Sequence, residues 1–249
     1  MDFIQTNDVS GISAYVRAME RLLRVIQDLS ASRDLNTVMD IVRHSVRDLT
    51  GSDGATFVLR DHDFCYYAEE DAISPLWKGS RFPMNTCISG WVMMNKEPAI
   101  IEDIFVDDRI PVDVYRKTFV RSLAMVPIRT NDPIGAIGCY WAQKHRATEE
   151  QVKVLHVLAD TASIAMENIH YQRVIEQKAV QMEETLKGTM QAIATMVEQK
   201  DLYTSGHQQR VGMIGHAIAQ ELGWSAERCE TVFRAGVIHD IGKIGIPGE

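Results

Sequence analysis

Residues 12 to 29 place Ile12, Tyr15, Met19, Leu22, Ile26 and Leu29 at alternating steps of three and four, which predicts a short helix with a heptad seam that pairs with another element. A second helical stretch, LNTVMDIVRHSVRDLTG, covers residues 35 to 51. The pattern then shifts to strand-like runs at ATFVLR, FCYYAE, PAIIEDI, SLAMVPIR and IGAIGCYWA, which alternate or run apolar between Gly, Pro, Asn and Asp. From 151 to 200 the chain reads as nearly continuous helix, with no Pro and only Gly188 as a weak point.

Leu158, Ala165, Gln172, Ala179, Leu186 and Ile193 recur every seven residues along that helix, with Thr161, Asn168, Ile175, Met182, Thr189 and Met196 as the companion row. Such a sustained repeat predicts a parallel coiled coil between two chains and hence a homodimer; the competing reading is an amphipathic helix folded back on its own domain. Polar Thr161, Asn168 and Gln172 would fix register at a cost in packing, which suits a helix that shifts between states. Composition adds exclusions. A formal net charge of -8 without a Lys/Arg block speaks against nucleic acid as a partner. Four scattered cysteines without a CxxC pair encode neither a zinc ribbon nor a disulfide framework, and with no apolar stretch long enough to span a bilayer the expected location is the cytoplasm.

The segments CISGWVMMNKEPAIIEDIFVDDRI at 87 to 110 and VRSLAMVPIRTNDPIGAIGCYWA at 120 to 142 resemble a GAF domain, with the likeness extending over about residues 30 to 170. The resemblance implies a sensor domain built on an antiparallel sheet with helices on one side and a pocket on the other. The residues themselves name no ligand. Cys65, Cys87 and Cys139 read as core filling, and Trp77, Trp91, Trp141, Tyr66 and Tyr67 as packing between sheet and helix. His44, His145, His156 and His170 stand isolated, on the surface or on helix faces.

Chemistry enters near the end of the chain. EQKDLYTSGHQQRVGMIGHAIAQELGWSAERCETVFRAGVIHDIGKIGIP resembles the start of an HD-GYP domain, a branch of the HD phosphohydrolases that hydrolyses cyclic di-GMP; the matching residues are Asp201, Tyr203, Thr204, Gly206, His207, Arg210, Val211, His239, Asp240, Gly242, Lys243, Ile246 and Pro247. The resemblance implies His207, His239 and Asp240 as ligands of a divalent metal pair (iron, manganese or zinc), with Lys243 holding a substrate phosphate or, equally, sitting as a solvated lysine at a helix C-terminus. Read physically, Ser205 and Gln208 form a capping box that sets His207 in the first turn of a helix reaching Leu222. A second helix runs from Ser225 to about Asp240, with Gly242 and Gly245 as stops. Carboxylate and imidazole suit two divalent ions, which would polarise a phosphodiester and acidify a bound water. His216 reads as structural. Tyr203 stands where some members have a third-metal glutamate, which favours two metals. The family's remaining ligands and its Gly-Tyr-Pro motif fall beyond residue 249, so the expectation is an incomplete site, inactive alone.

The expected architecture is therefore an α+β GAF domain, an antiparallel sheet with helices, flanked by coiled-coil helices and followed by an all-α partial HD-GYP domain. Its boundaries are an N-terminal signalling helix at 1–30, the GAF sensor at 31–150, a linker helix at 151–190 and the HD-GYP part at 191–249. Two further readings stay open: a non-catalytic GAF sensor or dimerisation protein, and an HD hydrolase of another nucleotide.

Overall fold

The computed structural model describes residues 6–109, 111–200 and 206–245, with side chains from residue 16 onward and excepting Lys200. Two compact units divide it, residues 1–172 and 173–249.

The first unit opens with α1 (Thr6–Ala31) and α2 (Leu35–Thr50). Asp34 starts α2 by accepting the Thr37 N–H at 2.9 Å, and Gly51 ends it in the left-handed region at φ 64°, returning its N–H to the Arg47 carbonyl. Six strands follow in one antiparallel sheet: β1 (Gly54–Asp61), β2 (Phe64–Ala72), β3 (Arg81–Pro83), β4 (Ala99–Ile101), β5 (Ser122–Ile128) and β6 (Gly135–Trp141), in spatial order β3-β2-β1-β6-β5-β4. Short helices α3 (Ile88–Asn95) and α4 (Val112–Tyr115) lie between them, and α5 (Glu149–Lys200) comes after.

Alternation along the strands divides two cores. Phe57, Ala124, Val126, Ile137, Cys139 and Trp141 face Leu29 of α1, Val38, Val42 and Val46 of α2, and Leu155, Leu158 and Ala162 of α5. Val58, Cys65, Tyr67, Leu123, Met125 and Tyr140 face the other way, under α3, α4 and their loops. Opposite Phe57 and Val58 the β2 strand carries one extra residue, Ala68, which pairs with none on β1 and forms a bulge. Pro127 is tolerated in β5 because β4 pairs only with residues 123 to 125, so its missing N–H costs no ladder bond on that side. Trp77 packs edge-on against Tyr67, Tyr115 and Tyr140 at ring distances of 5.5, 4.8 and 5.8 Å.

Several expected elements differ in detail. The run PAIIEDI yields only three strand residues, because Asp103 leaves the ladder to accept the Phe105 N–H and pair with Arg121 and Lys144. The expected seam of α5 also divides. Leu158 and Ala165 are buried in their own unit's core, so the early heptads fold back on the sheet. From Tyr171 to Thr189 every residue but Val174 is exposed, including Ile175, Met182 and Leu186. Ile12 and Tyr15 lie outside the described side chains.

In the second unit α5 continues to Lys200, followed by α6 (His207–Glu221) and α7 (Ala226–Ile238). No helix among the described residues is long and apolar enough to cross a membrane.

Candidate metal centre

Two glycines bring α6 and α7 together. A Cβ on Gly236 would lie 2.7 Å from Gly212 Cα, and one on Gly212 would lie 2.8 Å from the Phe233 carbonyl oxygen, so the helices touch backbone to backbone. Gly223, at φ 73°, reverses the chain between them, and Ser225 starts α7 by accepting the Arg228 N–H. The reversal sets the first residue of α6 beside the last turn of α7. His207 and His239 consequently stand with ring centroids 5.5 Å apart.

The start of α6 is built differently from the capping box expected. Ser205 lies outside the described residues, and the cap position is Gly206, in the left-handed region at φ 69° with no side-chain cap of its own. Glu198 of α5 does the capping instead: its carboxylate accepts the N–H of Gly206 at 2.9 Å and of Gln208 at 3.2 Å. Gln208, expected as the box partner, is buried, and its Nε2 reaches Asp240 Oδ2 at 3.5 Å. The end of α7 also differs. The helix stops at Ile238, His239 caps it, and Asp240 leads into a 3-10 turn at Ile241–Gly245. His239 keeps helical dihedrals, φ -56° and ψ -27°, so the two side chains still diverge as helical neighbours do and meet only because they stand at the helix end.

His207, His239 and Asp240 each offer one ligand atom, and these atoms lie within 4.8 Å of one another. The His239 Nδ1 is 2.7 Å from the Gly236 carbonyl, which can only accept, so Nδ1 carries the hydrogen and Nε2 is left as the donor toward a metal. That Nε2 lies 3.3 Å from Asp240 Oδ2. Lys243 donates to the same oxygen at 2.6 Å, and this bond, then the nearby His239, holds the Asp240 carboxyl below the usual carboxylate range. Gln208 Oε1 is buried without a hydrogen-bond partner among the described residues. Two imidazoles and an ionised carboxylate, one imidazole already oriented by a carbonyl, fit a divalent transition metal.

Lys243 thus falls beside Asp240, whereas Asp201, Tyr203, Thr204, Ile246 and Pro247 lie outside the described residues. His216 lines a separate cleft with Met213, Glu230 and Phe233. His145 packs tilted against Trp141 and bonds Gln151, and His44 bonds the Asp40 carbonyl of its own helix. Sequence reasoning missed the roles of Glu198, Gln208, Gly212 and Gly236. For the glycines a signal existed, since two unexplained helical glycines on consecutive helices mark a close crossing.

The fold and these residues can now be set beside known proteins. The sequence matches the GAF domain family over residues 32–167, and the chain belongs to that family. Its first unit shares the fold of the GAF domain from an Acinetobacter phosphoenolpyruvate-protein phosphotransferase, at a TM-score of 0.54 and 18% identity over 65% of this chain and 98% of that one. A cyclic di-GMP phosphodiesterase of Thermotoga maritima is 33% identical over 76 residues, 30% of this chain and 21% of that protein. A 3'3'-cGAMP-specific phosphodiesterase of Vibrio cholerae is 35% identical over 57 residues, 23% of this chain and 13% of that protein. The chain therefore spans only a small part of these relatives' lengths.

Proposed function

We propose that this protein is a GAF-regulated sensor whose α6–α7 pair contributes His207, His239 and Asp240 to a metal-dependent phosphodiesterase site for cyclic dinucleotides, cyclic di-GMP first. The observation carrying this reading is the convergence of three donor atoms within 4.8 Å. The phosphodiesterase relatives support the substrate class.

His207 and His239 would hold the ion through neutral imidazole nitrogens, and Asp240 through the carboxylate that Lys243 now engages. A divalent ion bound there would supply Lewis-acid polarisation of a phosphodiester and a more acidic water. Three protein donors with open positions suit one such ion; the pair implied by the family resemblance needs more donors than the described residues bring together. Lys243, displaced from Asp240, would present a point charge to a substrate phosphate. Regulation would run along the chain itself: a ligand or partner at the GAF unit biases the packing of α5, which leads toward α6.

The test is calorimetric titration of the metal-free protein with Mn²⁺, followed by chromatography of cyclic di-GMP and 3'3'-cGAMP after incubation with the loaded protein. Expected, in place of the incomplete and inactive site read from sequence, are near-stoichiometric binding lost in His239→Ala and conversion of cyclic di-GMP to the linear dinucleotide, because three converging donors with open positions suffice for one ion. Binding unchanged in His239→Ala removes the assigned site. Binding without hydrolysis of either nucleotide assigns the chain to the non-catalytic sensors.

A further inference from the structure

A glutamine in the first turn of a short helix ordinarily faces water, yet Gln208 is 1% exposed. Its Oε1 is the one buried side-chain polar atom without a hydrogen-bond partner among the described residues. An apolar side chain of the same length would avoid burying an unpartnered carbonyl, so packing alone does not account for a glutamine here. The other end of the amide does. Nε2 reaches Asp240 Oδ2 at 3.5 Å, and an ionised carboxylate only accepts, which sets the nitrogen toward Asp240 and leaves Oε1 as the end without a donor.

The backbone holds this side chain in place. Gln208 follows the metal donor His207 directly, and Glu198 accepts its N–H at 3.2 Å. Asp240 lies 32 residues further on and is brought back by the close crossing of α6 with α7 at Gly212 and Gly236. The first turn of α6 thus carries one donor and, beside it, a group that touches the carboxylate of another.

Lys243 determines when that touch matters. It donates to the same Oδ2 at 2.6 Å, so the carboxylate is already held and the amide contact stays long. A divalent ion on Asp240 repels the ammonium, whereas a neutral amide can stay, because a carboxylate oxygen offers a second lone pair. Without Lys243, Gln208 Nε2 is the remaining hydrogen-bond donor to Oδ2 among the described residues.

We propose that Gln208 is a positioning residue of the metal centre: its amide nitrogen keeps the Asp240 carboxylate turned toward His207 and His239 after Lys243 gives way to the ion. This role rests on the metal-centre reading above. A ligating carboxylate is steadied by such an outer hydrogen bond, and losing the bond weakens the metal.

Calorimetry with Mn²⁺ and urea denaturation are carried out on the metal-free full chain and on Gln208→Met, which keeps the length and loses both polar ends, with Lys243→Met and His239→Ala alongside. Expected in Gln208→Met is a Mn²⁺ affinity about 10–100-fold weaker, with a urea midpoint no lower than the parent's, since an unpartnered carbonyl has left the interior. A residue kept for packing would lower both. In Lys243→Met the affinity should rise, because a competing cation is gone. Parental affinity in Gln208→Met overturns the proposal, and so does a lowered urea midpoint. Weaker binding in Lys243→Met overturns it as well, since Lys243 would then be the group that steadies Asp240. Binding that survives in His239→Ala, or none in the parent, removes the metal centre and this role with it; the other contrary outcomes strike Gln208 alone.

Discussion

A methyl group at position 236 would sit 2.7 Å from the Gly212 Cα, with no flexible side chain between them to yield. Gly236→Ala must therefore part α6 from α7 at the crossing that sets His207 beside His239, and it also shifts the carbonyl that orients His239. Such overpacking costs about 1–3 kcal/mol. Urea denaturation is expected to show that loss, and calorimetry a weaker Mn²⁺ affinity; unchanged affinity would mean the crossing does not set the site. At this scale the three residues that converge, His207, His239 and Asp240, were legible, because they arrive inside specific local motifs. The roles of Gln208 and Glu198 were not, because Gln208 reaches Asp240 across 32 residues and Glu198 caps α6 from eight and ten residues upstream, spacings outside the local capping box.

The capping of α6 by Glu198 is an interaction between elements, and its removal has a measurable cost. Glu198→Ala leaves the N–H groups of Gly206 and Gln208 without their carboxylate acceptor, a loss of about 0.5–2 kcal/mol for a helix cap. Lower helicity by circular dichroism and partial recovery in Glu198→Gln are the expected results; a helicity equal to the parent's would remove the capping role. Elements with a full period were readable from sequence: β1, β2, β5 and β6 alternate between two cores, and α2 carries Val38, Val42 and Val46 on one face. Three- and four-residue elements such as β3 and α4 are too short to show a period, and tertiary contacts alone place them.

For the whole molecule, the repeat along α5 serves two ends. Leu158 and Ala165 complete the GAF core, while Ile175, Met182 and Leu186 remain exposed. A heptad pattern alone cannot tell a core stripe from a pairing stripe, since both place apolar residues at the same spacing. Sequence showed the period; burial showed where it is already used. The exposed stripe leads us to expect a dimer at micromolar concentration by light scattering, shifted to monomer by Ile175→Glu with Met182→Glu; a monomer in the parent would sink this. The stretch from 171 to 189 has a further consequence. A helix that buries almost nothing within its chain, and contains Gly188, opens locally at little cost. Its backbone amides should therefore trade hydrogen for deuterium well before those of 152 to 169 in dilute protein. That protection should grow as the protein is concentrated, which turns one helix into an internal gauge of self-association.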